Sequence, residues 1–357
     1  MTGHNLGMSM SGHAGGAGGR RAASIRDVAS AAGVSHQTVS RVINGHPSVR
    51  ASTRARVEAA IADLGFRRSA TAHALARGRS ESVTVLTPNT VHHGYAAALQ
   101  GIEEAARAAS YMVGISVLDS DREPVVREAL ARAAGTGGGV IVIAYDRPGV
   151  RALELAPAGM PLVAAVETPA EPPPAGSPWV WTDDREAARE VTRHLLRLGH
   201  RTVHYVAIPS TTRTGGGAQR AAGWRAALTA AGAPVPEPVA GGWGPAEGYA
   251  AGRELARDPA VTAVLCGNDA LALGLLRAFA EAGRDVPGEV SVAGFDDAPH
   301  AAFLTPSLTT VRLDFAGLGR ACFALLHGLL QQGEPVAPHP VAAPRLILRE
   351  STGPRRG

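Results

Sequence analysis

The chain has 357 residues, of which 45% are hydrophobic and 18% are charged, so it is long enough for a small and a large domain with buried cores. Its formal net charge of +4 excludes a uniformly basic nucleic-acid binder, although basic residues clearly outnumber acidic ones between residues 20 and 79. No apolar run reaches the ~20 residues of a membrane span. Cys266 and Cys322 each stand alone in an apolar stretch, which excludes a metal-ligand spacing.

Residues 1–22 are rich in glycine, serine, histidine and methionine, and they contain no apolar stretch of the kind that a secretion signal needs. We therefore predict a disordered leader there. With no export or membrane signal, we expect the protein in the cytoplasm.

The first ordered segment has the pattern of two short helices. Ser24 and Asp27 form a capping-box pattern at the start of one helix, and Gly33 ends it because glycine turns without a Cβ penalty. Ser35 then caps a second helix over about residues 36–44. Two short helices joined by a glycine turn predict a helix-turn-helix, in a domain over residues 23–68.

The outward face of the second helix is polar. In a helix-turn-helix the start of this helix meets base edges, where glutamine pairs with adenine and arginine with guanine. This predicts base contacts for Gln37 and Arg41. Short hydroxyls suit phosphate contacts, which we predict for Ser24, Ser35, Thr38, Ser40 and Thr53, together with the Asn44 amide. A plain helical pair with a polar surface remains the alternative.

A third helix is predicted from a cap at Ser52 or Thr53 to Leu64, which would close a three-helix core. Residues 69–80 are helix-capable but too short to stand alone, so they are a hinge helix or a linker. A leucine in such a segment can wedge between base steps in a minor groove.

These segments resemble one known family. The runs 25–29, 32–35, 37–44 and 72–75 look like the LacI/GalR repressors, and the resemblance extends from Ser24 to Glu350. It implies that His36, Gln37 and Arg41 read the major groove and that Leu75 is the minor-groove wedge. The hinge departs from the family pattern, with Arg68, Ser69 and His73 where the family usually has other residues.

From Val83 onward, strands alternate with amphipathic helices, which predicts parallel sheets with right-handed crossovers. The fold class is therefore an N-terminal all-α helix-turn-helix domain plus an α/β periplasmic-binding-protein-like domain of two doubly wound parallel-sheet lobes over 81–350. Predicted strands are 83–86, 113–117, 140–143, 162–166, 203–208, 261–266 and 290–294, and a helix covers 95–110. We place the first lobe at about 81–198 and 312–336, the second at about 199–311 and 337–350, and a tail at 351–357.

Polar residues follow several strands, where the ligands of such sheets bind. Asn268 and Asp269 follow one strand and Asp296 follows another, while Arg220 and Trp243 stand near glycine-rich loops. Carboxylates and arginine suit sugar hydroxyls, and an indole suits the apolar face of a pyranose. Each residue also has a plainer interpretation, as a helix cap, a turn or a core side chain.

The resemblance adds weight to the ligand interpretation. It implies that Arg220, Trp243, Asn268 and Asp296 match sugar-binding positions of the lactose-type repressors, and that Phe315 lines the pocket. We also predict first-lobe contacts from Asn89 and Tyr95. Asp184 either faces the cleft or belongs to a helix cap.

These features predict a homodimeric, sequence-specific transcriptional repressor that binds a near-palindromic DNA operator and is controlled by a small ligand, a sugar or glycoside. No cofactor, metal site, membrane partner or catalytic motif is indicated. Two other classes stay open, a sugar-binding transport protein and an enzyme of sugar metabolism. The sequence does not decide whether the ligand induces or corepresses.

Overall fold

The computed structural model describes residues 23–43, 45–66, 81–169, 178–209, 219–332 and 339–356. They belong to two compact units, Met1–Arg77 and Gly78–Gly357. The predicted leader, Asn44, and the hinge with Leu75 lie outside the described residues.

The smaller unit contains helices α1 (Ile25–Ala32), α2 (His36–Ile43) and α3 (Ala51–Leu64). The predicted capping box is confirmed at α1. The Asp27 amide donates to Ser24 Oγ at 3.3 Å, and the Ser24 amide donates to Asp27 Oδ2 at 2.7 Å. Two of the free N–H groups at this helix end are thereby satisfied.

The turn between α1 and α2 also forms as predicted. Gly33 has φ 62°, in the left-handed region that favours glycine. The Thr38 amide donates to Ser35 Oγ at 3.2 Å, so Ser35 caps α2. The predicted cap of α3 is wrong, because Ser52 and Thr53 already lie within the helix. Its N-cap is Arg50, which makes no side-chain capping hydrogen bond.

The core of the smaller unit joins all three helices through Val28, Val39 and Val57, which are fully buried. A contact that the sequence analysis missed fixes the end of α2. Arg54, on α3, donates from Nη2 to the His46 carbonyl oxygen at 2.9 Å. A cation that satisfies carbonyl groups beyond a helix C-terminus stabilises that end.

The first lobe of the larger unit is built on a parallel sheet. The elements of this lobe are β1 (Ser82–Thr87), α4 (His93–Ala108), β2 (Met112–Val117), α5 (Glu123–Gly135), β3 (Gly139–Ala144), α6 (Arg147–Leu155), β4 (Leu162–Val166), β5 (Trp179–Trp181), α11 (Phe315–Gln332) and β11 (His339–Pro340). The strands lie in the order β11-β5-β4-β3-β1-β2. The central strand β3 is buried along its whole length, as expected for a parallel sheet covered on both faces.

The second lobe repeats this plan with a smaller parallel sheet. Its elements are α7 (Asp184–Arg197), β6 (His204–Ala207), α8 (Gln219–Ala230), β7 (Val239–Ala240), α9 (Pro245–Leu255), β8 (Ala263–Cys266), α10 (Asp269–Glu281), β9 (Ser291–Ala293), a 3₁₀ helix (Ala301–Phe303), β10 (Thr310–Arg312) and β12 (Arg345–Ile347). The strands of the parallel sheet lie in the order β7-β6-β8-β9. A short two-stranded antiparallel sheet of β10 and β12 joins the chain segments that run between the lobes.

Two predicted lobe boundaries are wrong. Helix α7 belongs to the second lobe, because it packs against α8 so closely that a Cβ on Gly223 would lie 2.0 Å from the Arg185 carbonyl oxygen. The first crossing therefore precedes Asp184 and does not fall near residue 198. Strand β11 pairs with β5 of the first lobe, so the return crossing follows residue 340. Amphipathic periodicity predicts a helix but does not reveal which sheet it covers.

The predicted C-terminal tail is also wrong, since residues 351–356 are bound to the second lobe. Ser351 is fully buried, and its Oγ donates to the Val292 carbonyl at 2.6 Å and accepts from the Thr309 amide at 2.8 Å. The Val292 amide in turn donates to the Ser351 carbonyl at 2.8 Å. Such irregular backbone pairing carries no periodic signal in the sequence.

Candidate functional site

The first candidate site is the exposed face of α2. His36, Gln37 and Arg41 are exposed, whereas Val39 and Val42 on the same helix are buried. Within the described part of the chain, the three polar side chains have no hydrogen-bond or ion-pair partner. Gln37 and Arg41 stand one helical turn apart and so lie on one face. Their donors and acceptors are therefore available to a ligand outside the protein.

Hydroxyl groups gather at the start of α2. Ser35 Oγ and Thr38 Oγ1 lie 3.0 Å apart, beside the N-terminal N–H groups of the helix. Such a helix end attracts anions. Ser24 serves as the cap of α1, and Ser40 and Thr53 are half-buried. The smaller unit thus places several hydroxyl groups around the exposed polar face of α2.

The second candidate site is a cleft in the larger unit, with a cavity of about 330 Å³ between the strand ends of the two lobes. Seven of the predicted ligand-binding residues line this cavity, from both lobes. They are Tyr95, Asp184, Arg220, Trp243, Asn268, Asp296 and Phe315.

A buried charge cluster forms the second-lobe wall of the cleft. Arg220 Nε donates to Asp184 Oδ2 at 2.9 Å, and Nη1 donates to the Gly267 carbonyl. The same Nη1 lies 3.1 Å from Asp296 Oδ1, which is an ion-pair distance. The guanidinium also stacks over Phe295, 4.1 Å from the ring centroid. Because these contacts fix the guanidinium, Arg220 presents a positive group between two carboxylates.

Asp296 is the least satisfied member of this cluster. It has φ 108°, which is rare for a residue other than glycine. Within the described structure, Oδ1 accepts no aligned hydrogen bond although it is buried. Burial raises the pKa of Asp296 to about 7, Arg220 opposes this rise, and Asp184 adds to it. A ligand donor would satisfy this oxygen.

Asn268 and Asp269 combine structural and cleft positions. Asn268 Oδ1 caps α10 by accepting from the Leu271 amide at 2.8 Å, while Nδ2 donates to the Trp243 carbonyl at 3.1 Å. Asp269 accepts from the Ala298 amide at 2.7 Å and from the Thr310 hydroxyl at 2.6 Å. Burial raises the pKa of Asp269 to about 8. The helix-cap interpretation of Asn268 is thus correct, and its side chain also borders the cavity.

Aromatic side chains form much of the opposite wall. Tyr145 lies between Tyr95, at 5.3 Å between ring centroids, and Phe315, at 6.1 Å. His92 stacks on Trp243 at the cleft mouth. The sequence analysis missed Tyr145 and His92. Tyr145 directly follows β3, so the rule that located Asp296 after a second-lobe strand also indicates Tyr145.

Asn89 does not line the cavity. Its Oδ1 accepts from the Val91 amide at 2.7 Å and from the His92 amide at 2.8 Å. The side chain therefore shapes the loop that carries His92, and its expected ligand contact is not supported by its position.

The described ranges show neither a metal-binding cluster nor a membrane-spanning helix. No group of three or more histidine, cysteine, aspartate or glutamate side chains there is placed to hold a metal ion. Cys266 and Cys322 are buried free thiols. Within the same residues, no helix combines the length and the apolar character needed to cross a membrane.

Comparison with known proteins places both sites in context. Residues 24–69 match the model of bacterial regulatory proteins of the lacI family, and residues 192–352 match that of a periplasmic binding protein-like domain. The lactose operon repressor of Escherichia coli (strain K12) is 30% identical over 334 residues, which cover 92% of this chain and 90% of the repressor.

Two solved structures are similar along most of the chain. One is the lac repressor dimer bound to operator and the anti-inducer ONPF, with a TM-score of 0.83 at 28% identity, covering 93% of this chain and 100% of that one. The other is a complex of the transcriptional regulator CelR with cellobiose, with a TM-score of 0.67 at 29% identity, covering 92% and 99% respectively.

Proposed function

Since the chain belongs to the LacI family of bacterial regulatory proteins and is a transcriptional repressor with a ligand-binding domain, we propose that a sugar in the cleft controls its affinity for an operator. The observation that carries this proposal is the buried Arg220–Asp184–Asp296 cluster beside Trp243. The operator is a near-palindrome, and the protein binds it as a homodimer.

The DNA half of the proposal rests on α2. Exposed Gln37 and Arg41 pair with base edges in the major groove, His36 stands beside them, and Ser35 and Thr38 contact phosphate. Phosphate contacts supply much of the affinity, so binding weakens steeply with added salt. The two subunits place one α2 helix each in successive major grooves.

Exposed apolar side chains support the homodimer. On the edge strand β2, Met112, Ile115 and Val117 are 65%, 53% and 53% exposed. Ile115 and Val117 share one face of the strand and Met112 lies on the other, and a sheet edge with such exposed apolar side chains is usually covered by a partner. A second copy would cover it here, in keeping with the dimeric lac repressor that the chain resembles.

The ligand half of the proposal rests on complementary chemistry. Asp296 and Asp184 accept hydrogen bonds from sugar hydroxyls, Arg220 donates to sugar oxygens, and Trp243 offers an apolar ring face. The similar regulator CelR was solved in complex with cellobiose, which is a sugar with several hydroxyl groups. The relatives are transcriptional regulators and not enzymes, which favours binding over turnover.

Coupling between the two sites follows from the position of the cleft. The charge cluster is in the second lobe, while Tyr145 and Phe315 are in the first, so a sugar that contacts both walls favours one lobe arrangement. A coupling free energy of ~1–3 kcal/mol is enough to change operator occupancy. The sign of this coupling free energy, which decides whether the sugar releases DNA or strengthens its binding, is measured in the operator-binding experiment below.

A screen of mono- and disaccharides by thermal shift, followed by operator binding in fluorescence anisotropy, tests the proposal. The hit should change the operator affinity of the wild type. Asp296→Asn should bind the operator equally well but lose the sugar response, while Asp121→Asn, an exposed first-lobe carboxylate, should respond normally. A full sugar response in Asp296→Asn would contradict the assignment of this cleft.

A further inference from the structure

We infer that Tyr145 determines ligand specificity from the first lobe by donating a hydrogen bond from its phenol to a hydroxyl of a neutral sugar. This inference rests on the proposed function of the cleft. Tyr145 follows β3 directly and lines the cavity. Its hydroxyl is buried and has no hydrogen-bond partner within the described structure.

A buried hydroxyl without a partner is unfavourable and rare in folded proteins. The ring is 9% exposed and belongs to the hydrophobic core. Tyr95 contacts it at an interplanar angle of 66° and Phe315 at 59°. Both rings pack against Tyr145, so its phenol is held in one position, and a ligand in the cavity that the residue lines can supply the missing partner.

The opposite wall has a complementary feature. Asp296 Oδ1 also lacks an aligned hydrogen bond, but it is an acceptor, whereas the phenol is a donor. The two unsatisfied atoms belong to different lobes. Burial raises the pKa of Tyr145 well above its ordinary value, and the charge of Asp184 contributes, so the phenol keeps its proton and donates.

This pair of atoms selects among ligand classes. A sugar hydroxyl both accepts and donates, so a polyhydroxylated ligand can satisfy Tyr145 and Asp296 together. The phosphate group of a sugar phosphate has acceptor oxygens and a negative charge, and the two carboxylates that flank Arg220 give this wall a net negative charge when both are ionised, which disfavours the phosphate. The site therefore favours neutral sugars over sugar phosphates.

Tyr145→Phe removes one oxygen atom and keeps the ring. The test measures thermal melting without ligand, and calorimetric affinity for lactose, maltose, cellobiose and glucose 6-phosphate. Tyr111→Phe, which changes a tyrosine packed on Phe323 outside the cleft, is the matched control. We expect Tyr145→Phe to melt at the same or a higher temperature than the wild type. We also expect it to bind the neutral sugars on the order of tenfold more weakly, while Tyr111→Phe binds them normally.

Each other outcome decides against the inference. A lower melting temperature of Tyr145→Phe without ligand would show that the hydroxyl has a structural partner. Unchanged sugar affinity would overturn the inference and leave the proposed function intact, as would glucose 6-phosphate binding more tightly than the neutral sugars. If the wild type binds none of the neutral mono- and disaccharides of the full screen, both the inference and the sugar proposal fail.

Discussion

The imidazole of His92 stacks on the indole of Trp243, with ring centroids 5.8 Å apart and planes inclined by 26°. His92 precedes α4 in the first lobe, and Trp243 precedes α9 in the second. This ring pair therefore joins the lobes across the cleft mouth. It also covers one face of the indole, so a sugar that stacks on that face must displace His92.

The first prediction is that His92 and a bound sugar compete for the same face of the Trp243 indole. Aromatic pairs contribute ~0.5–1.5 kcal/mol, so His92→Ala should raise the affinity for a bound sugar by about 2–10-fold. Titration calorimetry measures the change, and His327→Ala, which alters a histidine stacked on Phe323, should leave affinity unchanged. Weaker sugar binding by His92→Ala would mean that His92 contacts the ligand directly.

The second prediction concerns Asp269 and pH. Burial raises its pKa from 3.8 to about 8. Between these two pKa values the folded protein keeps a proton on Asp269 that the unfolded chain has released. The stability that Asp269 contributes is therefore fully present below the lower value and is lost as pH rises through the higher one. The contribution of Asp269 to the free energy of unfolding should therefore fall as pH rises from about 5 to 8.

Asp269→Asn should remove this contribution, which corresponds to one proton, and so change the slope of unfolding free energy against pH by ~1.4 kcal/mol per pH unit. All four tryptophans lie beyond residue 178, so their fluorescence in denaturant titrations reports the larger unit. Asp121→Asn, at an exposed carboxylate, is the control and should keep the wild-type slope. An unchanged slope in Asp269→Asn would show that its carboxyl group ionises normally.

The third prediction concerns the packing of α7 on α8. A methyl group on Gly223 would meet the Arg185 carbonyl oxygen at 2.0 Å. Gly223→Ala should therefore destabilise the larger unit by ~1–3 kcal/mol, as measured by the same denaturant titration. Gly135→Ala, at the end of α5 with no atom within 4 Å, should be neutral or slightly stabilising. Equal stability of the two variants would be inconsistent with the close approach of these helices.

Local features of the fold could be predicted from the sequence because short-range chemistry determines them. The cap at Ser24, the turn at Gly33 and the cap at Ser35 each depend on neighbouring residues alone. The apolar run 140–143 similarly lies within β3. Strands of two or three residues, such as β5 and β7, are too short for periodicity to reveal.

The site was predictable to the extent that residue type and strand position define it. Asp296 follows a strand, as the strand-end rule expects, and the structure brings Arg220, in the first turn of α8, to within 3.1 Å of its carboxylate. The same rule extends to Tyr145, which directly follows β3. Asn89 has a suitable residue type, but its side chain bonds its own loop. Such local hydrogen bonds depend on backbone conformation that the sequence pattern does not specify.

Base reading by α2 can be tested directly. Duplexes selected by the wild type from a randomised library supply the operator, and fluorescence anisotropy then compares wild type and Arg41→Ala on that site and on single base-pair substitutions. We expect Arg41→Ala to lose ~1–3 kcal/mol of binding free energy and to stop distinguishing substitutions at one position, while Arg107→Ala on the first lobe binds normally. Unchanged affinity and specificity of Arg41→Ala would contradict base reading by α2.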